Sequence, residues 1–142
     1  MVDTGFSSFD TMVDKANRLL KDIERANGWP KERRKQSYAA LRAVLHGLRD
    51  RLPVDGAAHF GAQLPILIRG IYYDGWKPAE TPVKLSVEEF YQRVREEFPY
   101  AVDGGIERVV GSVLDALQLH ISEGEWKHLK SLLPNSLAAV LP

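Results

Sequence analysis

Gln63, Arg69, Tyr72, Tyr73 and Trp76 fall within one short stretch and carry the densest mixture of recognition chemistry in the chain. An arginine presents a planar fork of donors matched to a carboxylate or a phosphate. Tyrosine and tryptophan supply rigid amphipathic area for a ligand or a partner protein. An internal role accounts for the same five residues: Arg69 pairs with Glu80 or stacks on Trp76, while Gln63 satisfies backbone groups freed by Pro65.

The four histidines suggest other chemistry. Glu125-Trp126-Lys127-His128 has the Glu-x-x-His spacing used by di-iron carboxylate bundles. Such a centre needs a second motif of that kind, whereas Gly56 stands three residues before His59 and Asp55 four before it. No metal site is expected. His46 and Asp50 are one helical turn apart, as for an oriented base, but no serine, threonine or cysteine nucleophile lies at a recognisable elbow. No catalytic constellation and no cofactor emerge. Lys31, Arg33, Arg34 and Lys35 form a dense basic run near a helix start, where they oppose the macrodipole. No aromatic residue interleaves them for base stacking, so a solvated face is expected and no nucleic-acid partner. Gly104-Gly105 precedes a helix without a phosphate-loop lysine after it.

These residues have to be positioned by the rest of the chain. Its 142 residues suit one domain, which at that length buries roughly 68–70% of the surface exposed by the unfolded chain. There is no cysteine, which excludes a disulfide framework, a thiolate metal site and a thiol nucleophile. Lys plus Arg and Asp plus Glu both number 19, so no net field steers the molecule toward nucleic acid or an anionic membrane. Without a leader-like start or a long apolar span, a soluble, cytoplasmic protein with no membrane association is expected.

Apolar residues at three- and four-residue spacing predict helices throughout, with no period-two alternation of a half-buried strand. Phe9, Met12, Val13, Ala16, Leu20 and Ile23 form a first stripe behind the potential caps Ser7 and Ser8, stopped by Gly28. A second helix, from about Pro30 to Pro53, carries Tyr38, Leu41, Val44, Leu45, Leu48 and Leu52. A third is capped by Asp55, and Pro65 opens a fourth that Asp74-Gly75 closes. Lys77 to Leu85 holds two prolines and no periodicity, and is expected to be a linker. Capping-box spacing at Ser86/Glu89 and Ser122/Glu125 introduces two further helices. Between them Ile106, Val109, Val110, Val113, Leu114 and Leu117 line another, and Pro134 opens a last short one.

A displacement of 69 residues sets Val113, Leu114, Leu117 and Ile121 on Val44, Leu45, Leu48 and Leu52. It also sets Leu129, Leu133 and Pro134 on Phe60, Leu64 and Pro65. Phe90 and Val94 match Phe9 and Val13 only at a displacement of 81, so a shorter connection is expected after the first helix of the second unit. The expected architecture is therefore all-α. Two tandem pseudo-repeats of a three- to four-helix unit, about 7–76 and 86–142 joined by a linker over 77–85, cover each other's apolar faces in one bundle-like domain spanning 1–142.

The run from Gly61 to Trp76, with Gln63-Leu64-Pro65 at its start and Gly75-Trp76 at its end, resembles the signature of a bacterial family catalogued as domain of unknown function 2267. The resemblance extends back through Leu41 to Pro53 and, more loosely, on through Leu133-Pro134. It implies a helical fold and carries no activity or catalytic residue with it.

At the 69-residue displacement Leu132 faces Gln63, Ala138 faces Arg69, Ala139 faces Gly70 and Leu141 faces Tyr72. The first unit thus has polar and aromatic groups that its counterpart lacks. Gln63, Arg69, Tyr72, Tyr73 and Trp76 are accordingly the candidate binding residues. The leading expectation is a protein-interaction or self-association module that exposes these rings. The alternative is a small anionic-ligand sensor, or an unrecognised enzyme, with a pocket between the halves in which Arg69 reads the anion and Gln63 orients it.

Overall fold

The computed structural model describes residues 3–142, and among these the chain forms eight α-helices and no strand. They are α1 (Ser7–Asn27), α2 (Arg34–Arg51), α3 (Val54–Ala62), α4 (Ile66–Tyr73), α5 (Val87–Glu97), α6 (Gly105–Gln118), α7 (Glu123–Ser131) and α8 (Asn135–Ala138).

Local chemistry sets most of the boundaries. Gly28 adopts φ 68° and its amide donates to the Arg25 carbonyl, closing α1; a side chain there would be strained. Ser86 and Glu89 complete a reciprocal capping box at the start of α5. Pro53, Pro65 and Pro134 each stand just before a helix, where their missing amide costs no helical hydrogen bond. Other expected caps differ. Phe6, not Ser7 or Ser8, precedes α1, and Asp10 reaches back to accept from the Thr4 amide at 2.6 Å. Asp55 lies inside the first turn of α3. Lys31–Arg33 form a 3-10 turn before α2 begins. Ser122 accepts from the Glu125 amide, but the Glu125 carboxylate turns away to His59.

The packing is crossed. α1 lies chiefly on α6 and α5 on α2, while α2 and α6 touch each other. The connection over 77–85 contains a 3-10 turn, Pro78–Glu80, and is pinned to α2 where the Val83 amide donates to the Asp50 carbonyl at 2.7 Å. One apolar core results, running from Leu19 and Ile23 through Leu41, Leu45 and Leu48 to Phe90, Val94, Leu114 and Leu117. The same displacement of 69 residues relates α3 to α7, which are equally long, and the start of α4 to that of α8. Backbone angles at the two breaks agree, with φ −54°, ψ 147° at Pro65 and φ −57°, ψ 148° at Pro134.

The first helix departs from expectation. Phe9 is 54% exposed and Val13 half-buried, whereas Phe90 and Val94 are completely internal. Burial pairs Phe90 and Val94 instead with Leu19 and Ile23, both fully buried and also four residues apart. α1 has 21 residues against 11 in α5. At that pairing the displacement is 71, so the second unit's connection is shorter by two residues and not by twelve. Rather, α1 carries extra turns at its start whose apolar stripe runs past the helices that bury Leu19 and Ile23. Tyr38 is likewise 41% exposed, at the outer end of α2.

Gly47 lies against α5 where α2 and α5 pack together. A Cβ there would lie 2.8 Å from Cε1 of the buried Phe90 ring. Gly47→Val overfills that contact, and a loss of about 1–3 kcal/mol in urea denaturation is expected. An unchanged midpoint would show that α2 and α5 do not meet as described.

Candidate functional site

Pro65 breaks the chain between α3 and α4, leaving the last carbonyls of α3 without helical donors. Gln63 replaces one missing bond with its own side chain, Nε2 donating to the His59 carbonyl at 3.2 Å. Arg69, one turn into α4, supplies the rest. Its Nε donates to the Gly61 carbonyl at 3.0 Å, and its Nη2 to the carbonyls of Ala62 and Leu64 at 3.2 and 3.1 Å. A fixed cation at a helix C-terminus also complements the macrodipole. Arg69 therefore neither pairs with Glu80 nor stacks on Trp76: backbone carbonyls orient it.

Beside this turn lies a cleft of about 670 Å³ between α1, the α3–α4 break and the end of α6. Its polar lining comprises Ser8, Thr11, Lys15 and Arg18 of α1, with Gln63, Arg69 and His120. Met12, Leu64, Pro65 and Ile66 make the apolar part. No carboxylate lines it. Among the described residues, Lys15, Arg18 and Arg69 form no ion pair. His120 Nε2 lies 2.7 Å from Asp22 Oδ2 and so fastens the end of α6 to α1. Arg69, held by carbonyls, thus shares one concave surface with the exposed Lys15 and Arg18, an arrangement that concentrates positive potential.

Of the five residues singled out from sequence, Gln63 and Arg69 line this cleft and the three aromatic residues do not. Tyr72 is wholly buried, and its hydroxyl donates to the Ala57 carbonyl at 2.7 Å. Tyr73 and Trp76 are half-buried with ring centroids 5.3 Å apart, and the Tyr73 hydroxyl donates to the Ala58 carbonyl at 3.3 Å. Of the rings expected to be exposed, Tyr72 is thus internal, while Tyr73 and Trp76 keep part of their surface in solvent. Gly61 makes room for the Tyr73 ring, since a Cβ there would come within 2.7 Å of Tyr73 Cζ. Burial pushes the Tyr72 phenol far above its usual range, with the nearby Tyr73 adding to the shift and Arg49 opposing it.

The remaining sequence candidates have structural partners. His46 and Asp50 are not a dyad. His46 Nε2 faces the Ile71 carbonyl at 2.8 Å and its Nδ1 faces Glu97 at 2.9 Å. Arg49 donates to the Tyr72 and Asp74 carbonyls at 3.0 and 2.8 Å, so α2 caps the end of α4 as Arg69 caps the end of α3. Asp50 binds Arg49 and Arg93 at 2.9 and 2.7 Å. Arg42 lies 2.8 Å from Asp74 and holds that exposed carboxyl below its ordinary range, chiefly by hydrogen bonding. His59 and His128 meet edge to face, with centroids 4.8 Å apart, and Glu125 binds His59 at 2.6 Å rather than making a cage with its own helix. Among the described residues no cluster of three or more histidines and carboxylates has metal-binding geometry. In the basic run Arg34 forks onto Glu24 at 2.9 and 3.1 Å, which raises its pKa, while Lys31, Arg33 and Lys35 are exposed.

Sequence reasoning missed Ser8, Thr11, Lys15, Arg18 and His120. Ser8, Thr11, Lys15 and Arg18 recur at helical spacing on one face of α1, a signal indistinguishable in sequence from an ordinary solvated face.

Residues 16–140 match the family described as an uncharacterized conserved protein (DUF2267). The chain belongs to this family. The match begins at Ala16, so the turns of α1 that carry Ser8, Thr11 and Lys15 lie ahead of it, while Arg18, Gln63, Arg69 and His120 lie within. No curated protein matches the chain. No helix among the described residues is long and apolar enough to cross a membrane.

Tyr72 gives the packed break a pH signature. Its folded-state pKa is raised above the ordinary value of 10.0, so the stability it contributes is complete below that value. Above it the unfolded chain ionises first, and stability falls by about 1.4 kcal/mol per pH unit until the folded phenol also titrates. Tyr72→Phe is expected to remove this component of the alkaline slope. At neutral pH it costs about 1 kcal/mol for the lost hydrogen bond to Ala57. Denaturant titrations of both proteins at neutral and alkaline pH check this; parallel alkaline slopes would contradict it.

Proposed function

We propose that this protein is a binding module for a small anion, built on a duplicated helical unit whose first copy holds the ligand in the cleft beside Arg69. One observation carries the proposal: Lys15, Arg18 and Arg69 converge on one cleft that contains no carboxylate. Its volume falls within the roughly 300–1,000 Å³ typical of small-molecule sites. Arg69 is held by three carbonyls through Nε and Nη2, so its orientation is set before a ligand arrives and little ordering entropy remains to be lost.

The interaction reading drew on Tyr72, Tyr73 and Trp76; Tyr72 is buried, and Tyr73 and Trp76 offer only part of their surface to a partner. Duplication accounts for the matched breaks at Pro65 and Pro134, and the cleft lies where the two units differ. The added turns of α1 have no counterpart ahead of α5, and Ala138 stands in α8 at the position corresponding to Arg69. The proposed role is capture: Ser8, Thr11 and His120 line the cleft, but His120 Nε2 is engaged by Asp22.

Thermal unfolding with citrate and with pyrophosphate, at constant ionic strength, tests the proposal. A bound anion at a hundredfold its dissociation constant stabilises the fold by about 2.7 kcal/mol. Lys15 and Arg18 are exposed and form no ion pair among the described residues, so Lys15→Glu with Arg18→Glu is expected to fold normally and to abolish the shift. Equal shifts in wild type and double variant would place any anion binding elsewhere and remove this function.

A further inference from the structure

The cleft is lined with apolar side chains as well as with cations. Lys15 and Arg18 stand on α1, and Arg69 faces the same space from α4. Met12, Leu64, Pro65 and Ile66 supply a continuous class of apolar lining from α1 and from the α3–α4 break. Ile66 is 54% exposed, although its helix has a buried face marked by Ile68 and Tyr72. A large aliphatic group left in water beside three unneutralised cations is a poor site for a bare, fully hydrated ion such as phosphate. It suits a molecule with an anionic head and an aliphatic or aryl body, because the head meets the cations while the body removes Ile66 and Met12 from water.

We propose that the ligand of this cleft is an amphiphilic anion: a carboxylate or phosphate monoester carrying an apolar chain, bound head toward Lys15, Arg18 and Arg69 and body along Met12, Pro65 and Ile66. This deepens the anion-binding function above and rests on it. The opposite orientation would set an anionic head against Ile66 and an alkyl body against two exposed cations. Bidentate recognition by Arg69 is limited, since Nε and Nη2 already serve carbonyls; Lys15 and Arg18 therefore supply most of the attraction and the apolar wall most of the selectivity.

Calorimetric titration of the whole chain with monomeric hexyl phosphate, hexanoate, ethyl phosphate, inorganic phosphate and hexanol tests the assignment. Each methylene that leaves water multiplies affinity by about fourfold, so hexyl phosphate is expected to bind about tenfold or more tighter than ethyl phosphate. Hexanol is expected to bind weakest among the six-carbon compounds. Ile66→Ser alters an exposed side chain at the first position of α4 and is expected to erase the gain from ethyl to hexyl phosphate. Lys15→Glu with Arg18→Glu is expected to abolish binding of every anion.

If ethyl and hexyl phosphate bind equally, and both depend on Lys15 and Arg18, the amphiphile is overturned and the anion-binding function stands. If hexanol equals hexyl phosphate, or no compound binds, that function falls with it. Vesicles containing an anionic phospholipid separate the two sources of such a head group. Capture by vesicles without binding of monomeric hexyl phosphate would overturn the proposal in favour of a surface-binding role. A clear preference for hexanoate or for hexyl phosphate would identify the head.

Discussion

Two short helices, α3 and α4, end at breaks whose carbonyls have lost their helical donors, and side chains of other elements take those donors' place. Arg69 reaches back from α4 to the end of α3, Arg49 and His46 reach from α2 to the end of α4, and Tyr72 and Tyr73 return to carbonyls of α3. An unsatisfied buried carbonyl costs on the order of 1–3 kcal/mol, comparable with the burial of a whole aliphatic side chain. The polar groups around Pro65 therefore belong to the folding problem first. Fixing Arg69 in this way also gives the cleft a cation whose place is set before anything binds.

Crossed packing gives these breaks their surroundings. With α1 on α6 and α5 on α2, neither half encloses a complete core alone, and the inner helices are covered by elements from the other half. The two arrangements are not equal. α5 is short, and Phe90 seats fully against Gly47. α1 is longer, and its first turns lie along the α3–α4 break instead of ending in the core. The cleft follows from that extra length. A helix long enough to pass the body turns its polar side toward the turn that Arg69 stabilises.

The histidines show the difference between a spacing and a site. Glu125 and His128 have di-iron spacing, but α7 lies against α3, so Glu125 binds His59 and the two rings meet edge to face. His46 and Asp50 are one turn apart, yet each is drawn to a different neighbour: Glu97 and the Ile71 carbonyl for one, Arg49 and Arg93 for the other. Helical spacing states which residues share a face. The partner on that face is set by the helix packed against it.

The sequence alone determined the helices, the proline breaks and the inner stripes of α2 and α6, because three- and four-residue periodicity, capping boxes and proline geometry act within one element. It also marked Gln63 and Arg69, since a polar group opposite Leu132 or Ala138 stands out without knowledge of the fold. Only the tertiary structure decided that Tyr72 turns inward with Tyr73 and Trp76 half-buried beside it, that Phe9 is left outside the core, and that Lys15, Arg18 and His120 join Arg69 at one cleft. Those outcomes depend on the length of α1 relative to the helices beneath it and on the space left by Gly61. Both are distances between elements far apart in the chain, which no local pattern of residues encodes.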